Sequence, residues 1–168
     1  PNTVLKNWKS LLSDPAKPMN DRVTQESYFP GSTYKIVAGM GAIELGKVTP
    51  HQTFSCSGSL YFGRKFECHK RHGSTDYKHG YMFSCDVYFY NMGLRVGMDA
   101  MARFARDLGY GERSGLELTK EAVGTVPTIA HHKRVSAEGY VRGFDLNTAI
   151  GQGEVRVTAL QQALAYAA

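Results

Sequence analysis

Ser32-Thr33-Tyr34-Lys35 sets a hydroxyl and an amine three residues apart. On a helix that spacing brings the two side chains onto one face. A serine hydroxyl is a poor nucleophile until a base takes its proton, and a lysine can take it when burial or neighbouring groups favour its neutral form. The start of a helix adds N–H groups without intrahelical partners, which suit a developing oxyanion. The pattern alone is common, and Ser32 taken by itself reads equally well as an N-cap. What sets it apart is its surroundings, Tyr28-Phe29-Pro30-Gly31-Ser32-Thr33-Tyr34-Lys35-Ile36-Val37.

The elements that must position this pair follow from punctuation and periodicity. Residues 1–30 read as an irregular lead-in broken by Pro15, Pro18 and Pro30, helical only from Asn7 to Leu12. Pro30-Gly31-Ser32 opens a helix through Ile36, Val37, Met40, Ile43 and Leu45, closed by Gly46. Residues 48–72 hold two short β-like runs, around Thr53-Phe54 and from Leu60 to Phe66. Tyr77, Tyr81, Val87 and Phe89 space a helix over Asp76 to Met92, interrupted near Ser84. Met98 to Leu108 puts Met101, Phe104, Ala105 and Leu108 on one face, with Gly109 behind them. Residues 110–145 read as a long connection with few periodic signals. The last helix starts at Thr158, a good N-cap, and is expected to be still running at Ala168.

Composition narrows the function classes. With 168 residues, 42% of them apolar, the chain can bury one core, and it is neither disordered nor collagen-like. Its longest mostly apolar stretch, Ile36 to Leu45, is too short to cross a bilayer. Twenty Lys and Arg against fifteen Asp and Glu give +5, but the charge is spread out, densest at Arg64-Lys65 and Lys70-Arg71. No basic stripe with interleaved aromatics is present, so nucleic acid is not the expected partner, while an anionic polymer stays open.

The string around Ser32 resembles the active-site segment of penicillin-binding proteins, Pro-Gly-Ser-Thr-x-Lys. Four further blocks agree in order. Pro18-Met19-Asn20-Asp21-Arg22 is similar to the family's segment before the nucleophile, and Ser84-Cys85-Asp86 to its second motif, S-x-N or S-x-D. Gly109-Tyr110-Gly111 through Ser114-Gly115 resembles a turn after the next helix. Ala149-Ile150-Gly151-Gln152-Gly153 with Val157-Thr158-Ala159-Leu160-Gln161 resembles the block before the last helix of the region. Together they resemble most closely the elongation-type class B penicillin-binding proteins, and identify the chain as part of a transpeptidase domain.

That resemblance implies a fold and roles. The fold expected is the α/β (α+β) transpeptidase type, related to β-lactamases, with its helical subdomain dominant and few sheet strands. Ser32 would attack the carbonyl of a D-alanyl-D-alanine stem peptide, with Lys35 as general base. Ser84 would relay a proton to the leaving amine, and Asp86, where many relatives have Asn, would hold Lys35 or substrate. A second peptide's amine would resolve the ester into a cross-link, and a β-lactam antibiotic would leave Ser32 acylated. The expected partners are peptidoglycan stem peptides, a SEDS-type glycan polymerase and elongation-complex proteins. The expected location is the periplasmic face of the bacterial inner membrane.

The family's third motif, Lys-Ser/Thr-Gly on a central strand, is missing. Arg113-Ser114-Gly115 imitates it but follows the second motif too closely. The expectation is therefore a partial domain over 1–168, with the anchor and first strand before Pro1, the third motif beyond Ala168, and no competence as an enzyme alone. Two other readings stay open. One is a class D-type β-lactamase or β-lactam sensor domain, against which Ser84-Cys85-Asp86 and Gly151-Gln152-Gly153 stand. The other is a non-catalytic cell-wall scaffold, should the parent lack the third motif.

Cys56, Cys68 and Cys85, with His69 and His72 nearby, allow two readings. A periplasmic location, implied by the family, permits a Cys56–Cys68 disulfide and leaves Cys85 over. Cys56, Cys68, His72 and Cys85 otherwise make a Cys3His set suited to structural zinc, with His69 as alternate fourth ligand. Elongation-type relatives carry a metal-binding loop at this place, which the resemblance extends to this chain. His131-His132 reads as a loop pair without a role.

Overall fold

The computed structural model describes residues 2–168 and is a helical body with two small antiparallel ribbons on one flank. Pro1, the first residue of the expected lead-in, lies outside the described residues. The chain opens with α1 (Asn2–Lys6) and α2 (Trp8–Ser13), so the helix expected over Asn7 to Leu12 is present and preceded by another short one. A 3₁₀ turn, Gly31–Tyr34, then leads without a break into α3 (Lys35–Glu44). Gly46, at φ +61°, turns the chain away as expected of a helix-ending glycine.

Four strands follow, β1 (Phe54–Cys56), β2 (Ser59–Phe62), β3 (Arg64–Glu67) and β4 (Gly73–Thr75). β1 pairs with β4, Cys56 opposite Gly73, and β2 pairs with β3, Leu60 opposite Phe66. The run expected from Leu60 to Phe66 is thus a hairpin folded at Gly63. Next come α4 (Tyr77–Met82) and α5 (Asp86–Val96), the interrupted helix, with Ser84 in the break. α6 (Met98–Asp107) buries Met98, Met101, Ala102 and Ala105.

The long connection expected over 110–145 is corrected in two places. α7 (Ile129–Val135) starts behind Thr128, whose hydroxyl accepts the His131 N–H at 3.0 Å, while Asp99 Oδ1 accepts that of Ile129 at 2.8 Å. α8 (Gly143–Ala149) has no side-chain cap. Both helices are seven residues long, too short for apolar periodicity to register. His132 is buried and stacks on Phe144 at 4.3 Å between ring centres, so it packs α7 on α8 and is not a loop residue.

The core centres on α5, whose Val87, Tyr88, Phe89 and Met92 are fully enclosed between α3 and α8. Gly93 allows that approach, since a Cβ there would meet the Asp145 carbonyl oxygen and Ala149 Cβ at 2.7 Å. α9 (Ala159–Ala167) begins with a reciprocal cap: Thr158 Oγ1 accepts the Gln161 N–H and Gln161 Oε1 accepts that of Thr158, each at 3.0 Å. No helix among the described residues is long and apolar enough to cross a membrane.

Candidate active site and metal centre

Ser32 is the second residue of the 3₁₀ turn and Lys35 the first of α3, so the three-residue spacing does bring them together at one helix start. Lys35 is 2% exposed, and a buried ammonium is tolerated only when its donors are satisfied. Its Nζ donates to the Ser84 carbonyl at 2.8 Å, Ser84 Oγ at 2.9 Å and Asp86 Oδ1 at 2.7 Å, and stands 5.4 Å from the centre of the Phe89 ring. Ser84 Oγ in turn donates to Ser32 Oγ at 3.0 Å. All four residues expected to carry the chemistry therefore lie on one hydrogen-bonded path. Among the described residues the path from Lys35 to Ser32 runs through Ser84 and not directly.

Ser84 reaches this position at a conformational cost. Its φ of +51° is in the left-handed region, uncommon for a side chain other than Gly, Asn or Asp. The turn is held by the Ser84 N–H on the Tyr81 carbonyl and the Cys85 N–H on that of Gly80. With that geometry the serine hydroxyl and carbonyl both face Lys35.

The turn that carries Ser32 is clamped by Tyr166, which sequence reasoning did not single out, and by backbone groups of residues quoted only as parts of the resembling blocks. Tyr166 on α9 donates its hydroxyl to the Thr33 carbonyl at 2.8 Å and meets the Tyr81 hydroxyl at 3.0 Å. Gly31 donates its N–H to the Gly151 carbonyl at 3.0 Å, and Tyr28 exchanges two backbone hydrogen bonds with Val157. Gly151, at φ +68°, packs so closely that a Cβ would strike the backbone of Gly31. Its glycine, quoted in the Gly151-Gln152-Gly153 block, is the available sequence signal. Arg113-Ser114-Gly115 lies in the loop after α6, where the Ser114 N–H is taken by Glu121.

The thiols of Cys56, Cys68 and Cys85 are free. Together with His72 they put four donor atoms within 4.8 Å of one another. Cys56 Sγ and Cys68 Sγ each stand 3.6 Å from His72 Nδ1. Tetrahedral zinc with bonds of about 2.3 Å to sulfur and 2.05 Å to nitrogen requires sulfur–nitrogen edges of about 3.6 Å, so the spacing suits zinc. Burial and the nearby His69 hold the His72 imidazole below its ordinary pKa, which keeps a lone pair for a ligand. Burial pushes the Cys85 thiol up to about 12. Burial would also raise Cys56, but the backbone N–H groups of His72 and Gly58 and the other two thiols hold it below its usual value. His69, the alternate ligand, stands outside this foursome and directs Nδ1 towards Asp86 Oδ2, 3.8 Å away.

The chain is similar to known proteins over nearly its whole length. Peptidoglycan D,D-transpeptidase MrdA of Acinetobacter baumannii is 31% identical over 167 residues, 96% of this chain and 25% of that protein. The crystal structure of Pseudomonas aeruginosa PBP2 in complex with WCK 5153 superimposes with a TM-score of 0.90 at 25% identity, covering 95% of this chain and 36% of that one. PBP2 of Helicobacter pylori, solved in complex with MreC, gives 0.87 at 31% identity, covering 94% of this chain and 30% of that one. The chain spans about a quarter of the length of the curated relatives it matches. The family described as the penicillin binding protein transpeptidase domain matches residues 2–168, and the chain belongs to that family.

Proposed function

We propose that this chain supplies the acylating centre of a peptidoglycan D,D-transpeptidase that works through a serine ester. The observation that carries the reading is the unbroken path Ser32–Ser84–Lys35–Asp86 at a helix start. Ser32 Oγ attacks the carbonyl carbon of the penultimate D-alanine as its proton passes to Ser84 Oγ and that of Ser84 to Lys35 Nζ, which first releases to solvent one of the three protons it donates in the resting site. The carbon–nitrogen bond then breaks, and the proton returns through Ser84 to the departing D-alanine amine. The amine of a second stem peptide attacks the ester, Ser32 recovers its proton, and a cross-link is left. Asp86 positions Lys35. A β-lactam enters by the same attack and stays on Ser32.

Fluorescent-penicillin labelling of the full-length protein tests this reading. Labelling disappears in Ser32→Ala; label that survives the substitution rules Ser32 out as nucleophile. The β-lactamase alternative is separated by turnover, since a transpeptidase hydrolyses a chromogenic cephalosporin slowly. The partners proposed are stem peptides, a SEDS-type polymerase and elongation-complex proteins at the periplasmic face of the inner membrane. The MreC complex of the Helicobacter relative supports an elongation partner.

Cys56, Cys68, His72 and Cys85 are proposed to hold a structural zinc ion, which takes no part in acyl transfer. When bound, the ion would fix Cys85, and with it the neighbouring Ser84 and Asp86.

A further inference from the structure

Two turns meet at the active centre. One is Gly31–Tyr34, which carries Ser32, and the other runs from Tyr81 to Cys85 and carries Ser84. Among the described residues the one hydrogen bond that joins them directly is that of Ser84 Oγ on Ser32 Oγ, at 3.0 Å. A second connection passes through α9. Tyr166 Oη donates to the Thr33 carbonyl at 2.8 Å, and a phenol has one proton, so Tyr81 Oη is the donor in its 3.0 Å contact with Tyr166. Burial and that contact push the Tyr81 phenol up, which keeps it a donor. Thr33 is the residue after Ser32, and Tyr81 lends its carbonyl to the Ser84 N–H at 3.0 Å. The Tyr81 ring stands edge-on to Phe89, 5.7 Å between centres, and Phe89 is the fully buried ring against Lys35. One end of this bridge is therefore fastened to the core and the other to the backbone beside Ser32. Gln162, one helical turn before Tyr166, sets its Oε1 3.1 Å from Thr33 Oγ1, so α9 grips the same residue twice.

We infer that Tyr166 is a positioning residue for acyl transfer, its hydroxyl setting the separation of the Ser32 and Ser84 turns. The inference rests on the transpeptidase reading above. The direct link does not survive the reaction. Once the acyl carbon is bonded to Ser32 Oγ, that oxygen has no proton, and Ser84 turns its own proton towards the departing amine. Lys35, the other link to Ser84, is a four-methylene side chain that changes its protonation in the same cycle. The phenol bridge touches neither serine hydroxyl and keeps both of its protons throughout. It holds the turns at one spacing from the resting site to the acyl-enzyme. Without it they can part, and a reacting group displaced by about 1 Å can cost about a hundredfold in rate. Noncovalent binding of a β-lactam precedes proton transfer, so the bridge acts on acylation and not on that first complex.

The test is stopped-flow acylation of the full-length protein by a chromogenic β-lactam, which separates the dissociation constant of the first complex from the acylation rate constant. Tyr166→Phe deletes one oxygen and keeps the ring. It is expected to lower the acylation rate constant about tenfold, the scale of one lost hydrogen bond, with the dissociation constant within about twofold of wild type. The amplitude of acylation stays full. A variant that is merely less stable shows the converse, a smaller amplitude at the wild-type rate. Tyr81→Phe removes the donor at the other end and should slow acylation comparably. The double variant should be no slower than the slower single one, because the two hydroxyls act as one link. A wild-type acylation rate constant in either single variant overturns the inference, and so does a loss confined to binding or amplitude. Losses that multiply in the double variant overturn it too. Ser32→Ala keeps the underlying reading separate: label that survives that substitution defeats the transpeptidase reading, whereas the outcomes above are read in protein whose Ser32 still labels.

Discussion

Ser84 carries two demands that oppose each other. Its hydroxyl links Lys35 to Ser32, and its backbone sits at φ +51°, where glycine rests without strain. Alanine and glycine at this position both remove the hydroxyl, so both should lower β-lactam acylation by about a hundredfold, the usual contribution of positioned proton transfer. They differ in strain: Ser84→Gly is expected to be about 1 kcal/mol more stable than Ser84→Ala by chemical denaturation. Equal stability would mean that the turn is not strained. Asp86 makes a complementary case. Its carboxylate is 2.7 Å from the almost wholly buried Lys35 Nζ, and breaking a buried pair strands a charge. Asp86→Ala should cost about 3 kcal/mol, whereas Asp86→Asn, which keeps an acceptor oxygen, should cost about 1 and retain penicillin labelling.

At the scale of elements, α8 holds a carboxyl group that resists ionisation. Asp145 is 1% exposed, and burial raises its pKa to about 6, although Tyr140 donates to both of its oxygens and Arg142 lies near; Asp99 adds to the rise. Since the folded pKa lies above the unfolded value of 3.8, the folded state binds the extra proton between about pH 4 and 6. The protonated group's contribution is whole below pH 4 and is lost as pH rises through 6. Asp145→Asn should therefore be about 2 kcal/mol more stable than wild type at pH 7, with the gap closing towards pH 4, as urea denaturation at both pH values can read. Nothing in the sequence flagged this residue, because its burial depends on Gly93 letting α5 close onto α8. The same holds for α7 and α8, each too short to show a period. Ser32 and Lys35 were legible because a three-residue spacing is a local property. Ser84 lies 52 residues from Ser32, and no periodicity joins them; only the resemblance of ordered blocks did. The clamp by Tyr166 and Gly151 was illegible, since the groups they hold, the Thr33 carbonyl and the Gly31 N–H, are backbone groups that no side-chain pattern marks.

Across the whole molecule, the cysteine cluster is the joint between the ribbons and the helical body. Cys56 ends β1, Cys68 follows β3, His72 precedes β4 and Cys85 caps the start of α5. The ribbons are two-stranded, and an isolated pair of that size is marginal in water, so something must fasten them. Phe66 on Tyr90 and Phe54 on Tyr88 provide some of that fastening by aromatic packing. A zinc ion would provide the rest, and through Cys85 its hold extends to the residues on either side, Ser84 and Asp86. Protein purified without added metal should accordingly carry close to one equivalent of zinc by mass spectrometry, and less than about a tenth would sink the assignment. Stripping the metal with a chelator should lower the melting temperature by about 5 °C and slow β-lactam acylation together, and zinc should restore both. Cys68→Ser should reproduce the two losses without rescue by equimolar zinc. Cys68 touches neither Ser32 nor Lys35 through any hydrogen bond among the described residues, so a fall in acylation there would report the joint. A chelator that removes zinc and leaves acylation untouched would show that the ribbons and the active centre are fastened independently.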